Sequence, residues 1–335
     1  MMPPQPPVLQ FRELSIGYPR AGAPPHVVAG GLNLSLHAGE LVCLLGPNGA
    51  GKSTMMRTAA GMQKALKGEV LLNGRHVNSF TKQQLARELS MVLTERVTIG
   101  MLTAYDLVAL GRSPHTGWTG SLGEADHRII EDSIRTTGAA HLAHRYISEL
   151  SDGERQKVML ARALAQEPRL MILDEITAFL DLPRRVEIMQ ILRDLAHERK
   201  RAILLSTHDL DLALTTADRI WLLPLRGQLT EGTPEDLVLT GVFGAAFSSE
   251  GVHFDEENGT FATHKKFHRE ILLSGEGAIA RWTQKALERR GYRVSTGHAA
   301  LSIHVTSLRT AGTNAWKLSH GDSSEQHSSI GSLLD

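Results

Sequence analysis

The stretch Leu41-Val42-Cys43-Leu44-Leu45-Gly46-Pro47-Asn48-Gly49-Ala50-Gly51-Lys52-Ser53 decides the fold. Its first five residues are an unbroken apolar run, the length of a buried strand. The next eight satisfy Gly-x4-Gly-Lys-Ser at every fixed position. Small residues after a buried strand let backbone N–H groups curl around an anion, and the start of a following helix, predicted over Ser53–Ala60, adds positive potential. The pattern therefore reads as a phosphate cradle. Lys52 is placed to reach the β- and γ-phosphates of a nucleotide, and the Ser53 hydroxyl to ligate Mg²⁺. Gly46, Pro47, Asn48, Gly49, Ala50, Gly51 and Thr54 complete the candidate contacts.

A metal-binding acid belongs on a neighbouring strand. Leu170-Met171-Ile172-Leu173-Asp174-Glu175 supplies four apolar residues with two carboxylates at the C-terminal tip. Asp174 is expected at Mg²⁺, and Glu175 is expected to polarise an attacking water. Between the loop and this strand the pattern is helical, with helices predicted over Thr103–Leu110 and Glu124–Thr137. Gly117–Gly123, with Trp118, reads as a loop. Strand patterns cover Leu9–Ile16, Leu32–Leu36, Glu69–Leu72 and Ala202–Leu205, and Arg185–His197 reads as a helix. Pro19–Pro25 reads as a loop. Strands alternating with helices predict an α/β fold with a parallel sheet covered by helices, in a two-lobed nucleotide-binding body.

Composition narrows the function. The 335 residues carry 36 basic and 36 acidic side chains, a balance that argues against a broad grip on nucleic acid. One cysteine, Cys43, excludes a disulfide framework and a cysteine zinc site, and its apolar neighbours make it a buried inert thiol. No apolar run reaches the ~18–20 residues needed to cross a bilayer. Met1–Pro7 lacks the charged start and apolar stretch of a secretory signal, which points to a cytoplasmic protein that docks on a membrane through a partner. Length suggests two domains, or one domain plus an appendage. The expected division is a disordered tail over 1–7, a nucleotide-binding body over 8–245 with a helical subdomain at about 95–165, and a small accessory α/β domain over 246–335. In that last domain Val252–Phe261, Arg269–Leu273, Tyr292–Ser295, Leu301–Val305 and Ala315–Leu318 read as strands and Ala278–Arg290 as a helix. The serine-rich Ser319–Ser329 is expected to be mobile.

With Leu150-Ser151-Asp152-Gly153-Glu154-Arg155-Gln156 the sequence resembles the ATP-binding subunit of an ATP-binding cassette (ABC) transporter. That family's signature is usually written Leu-Ser-Gly-Gly-Gln; Ser151 and Gly153 are kept here, with Asp152 and Glu154 at the variable places. Motif order also fits, with His208 in Ser206-Thr207-His208-Asp209 as the switch histidine. Ala178-Phe179-Leu180-Asp181 matches the segment that crosses the dimer interface. Tyr18 sits where the family stacks an aromatic ring on adenine. The resemblance covers roughly residues 8–240. It implies a cassette with a mixed sheet and a helical subdomain that binds ATP with Mg²⁺. It also implies a second cassette, with a homodimer expected, whose γ-phosphate would be contacted by Ser151 and the Gly153 N–H. His208 would sense the γ-phosphate and hold water in line with Glu175.

Two departures from the family pattern stand out. Where the sheet enters the helical lobe the family carries a glutamine; Thr94 aligns there, with Glu95 as a possible substitute. The proline after the acidic pair is replaced by Ile176. Asp106 to His115 resembles the importer subgroup for ferric siderophores, haem and cobalamin, which pairs with integral membrane permease subunits and, indirectly, a periplasmic binding protein. Arg112-Ser113-Pro114-His115 itself reads as a helix end stopped by proline. Seven of 16 histidines follow residue 245, but Lys265 and Lys266 beside His264 and His268 make that stretch a solvated basic segment rather than a metal sensor. The competing class is an ABC ATPase of DNA repair or translation. The short spacing from Lys52 to Ser151 leaves no room for a long coiled coil, and the chain has a single cassette.

Overall fold

The chain divides into two compact units, Met1–Ser248 with Phe254–Thr260, and Ser249–His253 with Phe261–Asp335. The computed structural model describes residues 6–93, 101–117, 120–225, 228–248, 252–256, 259–263, 267–295, 301–308, 313–320 and 323–334. The first unit begins β1 (Leu9–Arg20), β2 (Ala23–Leu36), β3 (Leu41–Leu45), α1 (Lys52–Ala59), β4 (Lys67–Leu72) and β5 (Arg75–His76). It continues α2 (Lys82–Glu88), β6 (Leu89–Val92), α3 (Ala104–Ala109), α4 (Glu124–Thr136), α5 (Asp152–Ala165) and β7 (Leu170–Asp174). After these come α6 (Leu182–His197), β8 (Ala202–Ser206), α7 (Leu210–Thr216), β9 (Arg219–Leu222), β10 (Thr230–Gly232), α8 (Pro234–Leu239) and α9 (Val242–Phe247).

Two sheets enclose α1. One is antiparallel, of order β2-β1-β4-β5; the other has order β10-β9-β3-β8-β7-β6 and is parallel except for β10. Every residue of β3, β7 and β8 is buried. Strands covered on both faces are why these segments read as unbroken apolar runs rather than alternating ones. Met55 and Met56 of α1 join one core with Phe11 and Leu14 from the first sheet and Leu44, Ile172 and Leu204 from the second. The Phe11 and Trp221 rings meet in this core at 5.6 Å. The phosphate loop thus leads into a helix gripped on two sides.

The loop expected over Pro19–Pro25 is instead the tip of a hairpin. Arg20 pairs with Ala23, which leaves Ala21 and Gly22 as the turn, with Gly22 at φ +70°. Pro24 and Pro25 are tolerated because β2 is the sheet's edge, where a missing N–H costs no ladder bond.

The helical lobe has its own core, where Leu107 and Val108 of α3 meet Ile130 and Ile134 of α4 and Val158 and Ala161 of α5. Thr103 starts α3 with a capping box to Asp106. Ser151 starts α5 in the same way with Glu154.

Further along the chain are β11 (Val252–Asp255), β12 (Thr260–Thr263), β13 (Arg269–Ser274), α10 (Gly277–Arg289), β14 (Tyr292–Ser295), β15 (Leu301–Leu308), β16 (Thr313–His320), β17 (Ser323–His327) and α11 (Ile330–Leu334). The single strand expected over Val252–Phe261 is two, β11 and β12, which pair with each other. The five-stranded sheet of order β14-β13-β15-β16-β17 buries Ile271, Ile303 and Trp316 against Leu287 of α10 and Leu333 of α11. Within the serine-rich stretch expected to be mobile, Ser323–His327 is an edge strand paired to β16 from His320↔Ser323 to Trp316↔His327. Its pairing is carried by the main chain, so its polar side chains left no alternation to read.

Candidate functional site

The phosphate loop leaves the C-terminal end of β3. A Cβ on Gly46 would lie 2.1 Å from the Leu223 carbonyl oxygen, and one on Gly51, at φ +103°, 2.0 Å from Val28 Cγ1. Both positions admit only glycine. Pro47, Asn48, Gly49 and Ala50 form the bend between them, closed by Ala50 N–H to Pro47 O at 3.2 Å. Lys52 Nζ donates to Gly46 O at 2.9 Å and Pro47 O at 3.3 Å. Burial lowers the Lys52 pKa, opposed by the charges of Glu175 and Asp174. The cation therefore sits partly dehydrated within the field of both acids. Ser53 and Thr54 follow in the first turn of α1, whose N-cap is Gly51 and which has no side-chain cap. The Thr54 hydroxyl meets Tyr18 Oη at 2.9 Å, so the exposed Tyr18 ring is tethered beside the loop.

Parallel pairing brings the acids to the same end of the sheet. Asp174 of β7 registers with Ser206 of β8, and Ser206 Oγ donates to Asp174 Oδ1 at 2.5 Å. Glu175, at φ +51°, turns its N–H onto Ser206 O at 3.0 Å. Its Oε1 lies 2.6 Å from His208 Nε2. Behind them the Thr177 and Thr207 hydroxyls meet at 3.3 Å, and Arg185 bonds Leu180 O and Asp209, which caps α7. Sequence reasoning missed Ser206 as the partner of both acids. The signal was present, since Ser206 ends the strand that pairs with Leu170–Asp174.

Ser151, Gly153 and Glu154 lie in the helical lobe. Ser151 N–H and Oγ–H both donate to Glu154 Oε2, at 2.9 and 2.8 Å. The backbone N–H first and the hydroxyl next hold the Glu154 carboxyl below its usual range. A Cβ on Gly153 would touch the Arg184 side chain at 3.4 Å, so the start of α5 lies against the start of α6. Asp152 pairs with Arg155 one turn on. The structure thus groups Tyr18, the loop, Asp174, Glu175 and His208, while the Ser151–Glu154 turn makes its own bonds within the lobe. Phe179, Leu182 and Val186 are exposed along the Ala178–Asp181 segment and the first turns of α6. Thr94, Glu95 and Trp118 lie outside the described residues.

Arg112, expected as part of a plain turn, is buried. Its Nε bonds Asp126 Oδ1, and its Nη1 bonds Glu167 Oε2 and Ala165 O, all at 2.8 Å. Next to it, Pro114 O accepts from Gln83 and Arg87 of α2, and His115 Nε2 meets Gln166 O. The segment ties the lobe to the sheet domain, a role invisible in a helix-stop pattern.

A buried strand, a glycine-rich loop gripping a lysine and a second strand ending in paired acids define a nucleotide-triphosphate site of the P-loop class. Residues 29–178 match the ABC transporter family model, and residues 268–335 match the model described as the iron ABC transporter C-terminal domain. An uncharacterized ABC transporter ATP-binding protein of Methanocaldococcus jannaschii is 39% identical over 88% of this chain and 100% of its own length. The iron(3+)-hydroxamate import ATP-binding protein FhuC of Bacillus subtilis is 35% identical over 71% of this chain and 87% of its own. Among solved structures, a metal-chelate type ABC transporter in an inward-facing conformation superposes with a TM-score of 0.62 at 25% identity, covering 72% of this chain and 89% of that one. A dimeric ATP-binding cassette in a post-hydrolysis state with ADP and Pi gives 0.58 at 26%, covering 68% and 98%. The chain belongs to the ATP-binding proteins of ABC transporters. It is an ATPase subunit that binds ATP and couples its hydrolysis to transport, and cassettes of this kind dimerise. Among the described residues no helix is long and apolar enough to cross a membrane.

Proposed function

We propose that this chain powers an importer for iron chelates of the siderophore type. The observation that carries the reading is the joint match of an ABC cassette and the iron-transporter C-terminal model in one chain. Relatives named for iron(3+)-hydroxamate and ferric enterobactin transport support it. In this reading two copies of the chain form the motor. It sits on the inner face of the membrane, bound to integral permease subunits that receive cargo from a periplasmic binding protein, and it does not act on nucleic acid.

In the proposed chemistry the loop N–H groups from Gly46 to Thr54 hold the phosphates and Lys52 neutralises them. Tyr18 carries the adenine ring. Ser53 and Asp174 are hard oxygen donors of the kind Mg²⁺ takes, and Mg²⁺ is normally held by one or two protein oxygens plus substrate phosphates. The ion, when bound, neutralises charge developing on the phosphates. The Ser206 hydroxyl, donating to Asp174, holds that side chain in place. Glu175 takes the proton of the attacking water, with His208 orienting the carboxylate through their shared hydrogen bond. Ser151 and the Gly153 N–H, at the start of α5, present donors and positive helix potential to the γ-phosphate held by the second copy.

Uptake of radiolabelled iron hydroxamate, haem and cobalamin in cells lacking the chain, and again after its return, tests the reading. Selective loss and recovery of hydroxamate uptake is expected. Loss confined to cobalamin or haem would overturn the cargo assignment.

A further inference from the structure

A cavity of about 570 Å³ lies at the entry ends of the central strands, the end away from the phosphate loop. Four cations line it: Arg12 on β1, Arg169 just before β7, and Lys200 and Arg201 just before β8. No carboxylate is among its lining residues. The volume lies within the ~300–1,000 Å³ common for small-ligand pockets.

The register concentrates the charge. Leu170 pairs with Ala202, and Ala202 N–H donates to Arg169 O, so Arg169 and Arg201 enter adjacent strands side by side. Like charges in adjacent strand positions repel. Burial lowers the Arg201 pKa; Glu167 opposes this, and Arg199 and Arg169 add to it. Arg201 Nη1 donates to Pro168 O at 2.7 Å, yet its Nε is buried with no hydrogen-bond partner among the described residues. Arg169 has Glu88 at 3.7 Å, an acid that also accepts from Asn73 at 2.9 Å. Arg12 bonds only the neutral Gln10 amide among the described residues. The acids nearby lie outside the lining, with Glu88 beside Arg169, Glu167 acting on Arg201 and Glu69 across the strand from Arg12, so the cavity wall itself carries only positive charge.

We infer that this cavity is a second anion site, separate from the nucleotide loop, that takes a small free phosphate ester or polyphosphate. Planar guanidinium forks match phosphate oxygens in pairs, and Lys200 adds a mobile point charge at the rim. The concave shape and separate strand entries suit a compact ligand held from several sides. A bound anion also relieves the repulsion between Arg169 and Arg201.

The test uses the full chain saturated with a non-hydrolysable ATP analogue, which fills the phosphate loop, titrated with pyrophosphate by calorimetry at low salt. One further site is expected, with affinity at least tenfold weaker in Arg12→Ser combined with Lys200→Ser. Both residues are exposed, so their loss leaves the fold intact. Equal affinity in the double variant, or no binding at millimolar pyrophosphate, overturns the site. Sedimentation with phosphatidylglycerol vesicles separates the source of the phosphate. Vesicle binding that depends on these residues without pyrophosphate binding overturns the free ligand in favour of a lipid headgroup.

Discussion

His208 Nε2 lies 2.6 Å from Glu175 Oε1, and the contact follows from strand register rather than from either residue alone. Asp174 and Ser206 are paired at the ends of β7 and β8, so the first residue past one strand and the second past the other emerge side by side. The left-handed turn at Glu175 and the Thr177–Thr207 contact fix both exits. A carboxylate held this way points its second oxygen along a set direction, which is what a base acting on one water requires.

Glu175→Gln keeps the size of the side chain and removes its basicity. Hydrolysis is expected to fall by ~10²–10⁴, the usual contribution of a positioned general base, while ATP binding persists. Single-turnover measurements with labelled ATP check this, and near-normal turnover would place the base elsewhere.

Lys52→Ala removes a cation that the fold keeps partly dehydrated at the loop. Both ATP affinity and hydrolysis should drop. Lys52→Arg should not restore them, because a planar fork does not fit where a compact ammonium bonds two loop carbonyls. Titration with a fluorescent ATP analogue reads the change; unchanged affinity in the alanine variant would sink the cradle assignment.

The central strands and the loop were legible because burial on both faces leaves unbroken apolar runs, and because Gly46 and Gly51 sit where a Cβ has no room. Less legible was whatever rests on main-chain pairing or on distant partners. The hairpin tip at Ala21–Gly22 hid behind prolines tolerated on an edge strand, and β17 carries only polar side chains. Arg112 looked like a helix stop because Asp126 and Glu167 are remote in sequence. Ser206 reaches Asp174 only through the pairing of β7 with β8, a contact that no local motif around His208 announces.

We propose that the cassette ends beyond α9 and folds without the C-terminal sheet. Phe243 of α9 is fully buried and packs on Phe254 with ring centroids 5.0 Å apart. A chain ending at Thr263 should therefore keep its unfolding midpoint and ATP affinity. One ending at Thr240 loses Phe243 and should be less stable by at least ~1.5–3 kcal/mol, the value of one buried large side chain. Denaturant unfolding of both chains decides. Equal stability would show that α9 lies outside the cassette's cooperative core.

Glu154 offers a pH signature of the turn before α5. Its carboxyl is held below the usual range in the folded chain, chiefly by the Ser151 N–H. The stabilisation is then fully present above the unfolded pKa of ~4.3 and disappears as pH falls through the lower folded value. The gap in melting temperature between the native chain and Glu154→Gln should be widest near neutrality and close in acid. A gap of constant size from pH 7 to pH 3 would mean that the carboxylate's charge contributes nothing there.

Arg112 makes the sharpest claim about how the helical lobe holds together. Its guanidinium satisfies Asp126 at the start of α4 and both Glu167 and the Ala165 carbonyl at the end of α5. The same helix α5 begins at Ser151. Arg112→Met leaves a buried carbonyl and two carboxylates without their shared donor. The expected cost is about 1.5–3 kcal/mol, the range for hydrogen bonds to charged groups. Arg112→Lys should recover little, since one ammonium cannot span acceptors on two helices as the fork does. The phosphate loop is built by other strands, so ATP binding should survive in both variants. On the proposed role of Ser151 and Gly153 at a partner's nucleotide, hydrolysis should fall. Hydrogen exchange confined to α3, α4 and α5 would locate the loosening in the lobe. Full protection there, with unchanged hydrolysis, would reduce Arg112 to a passive helix end.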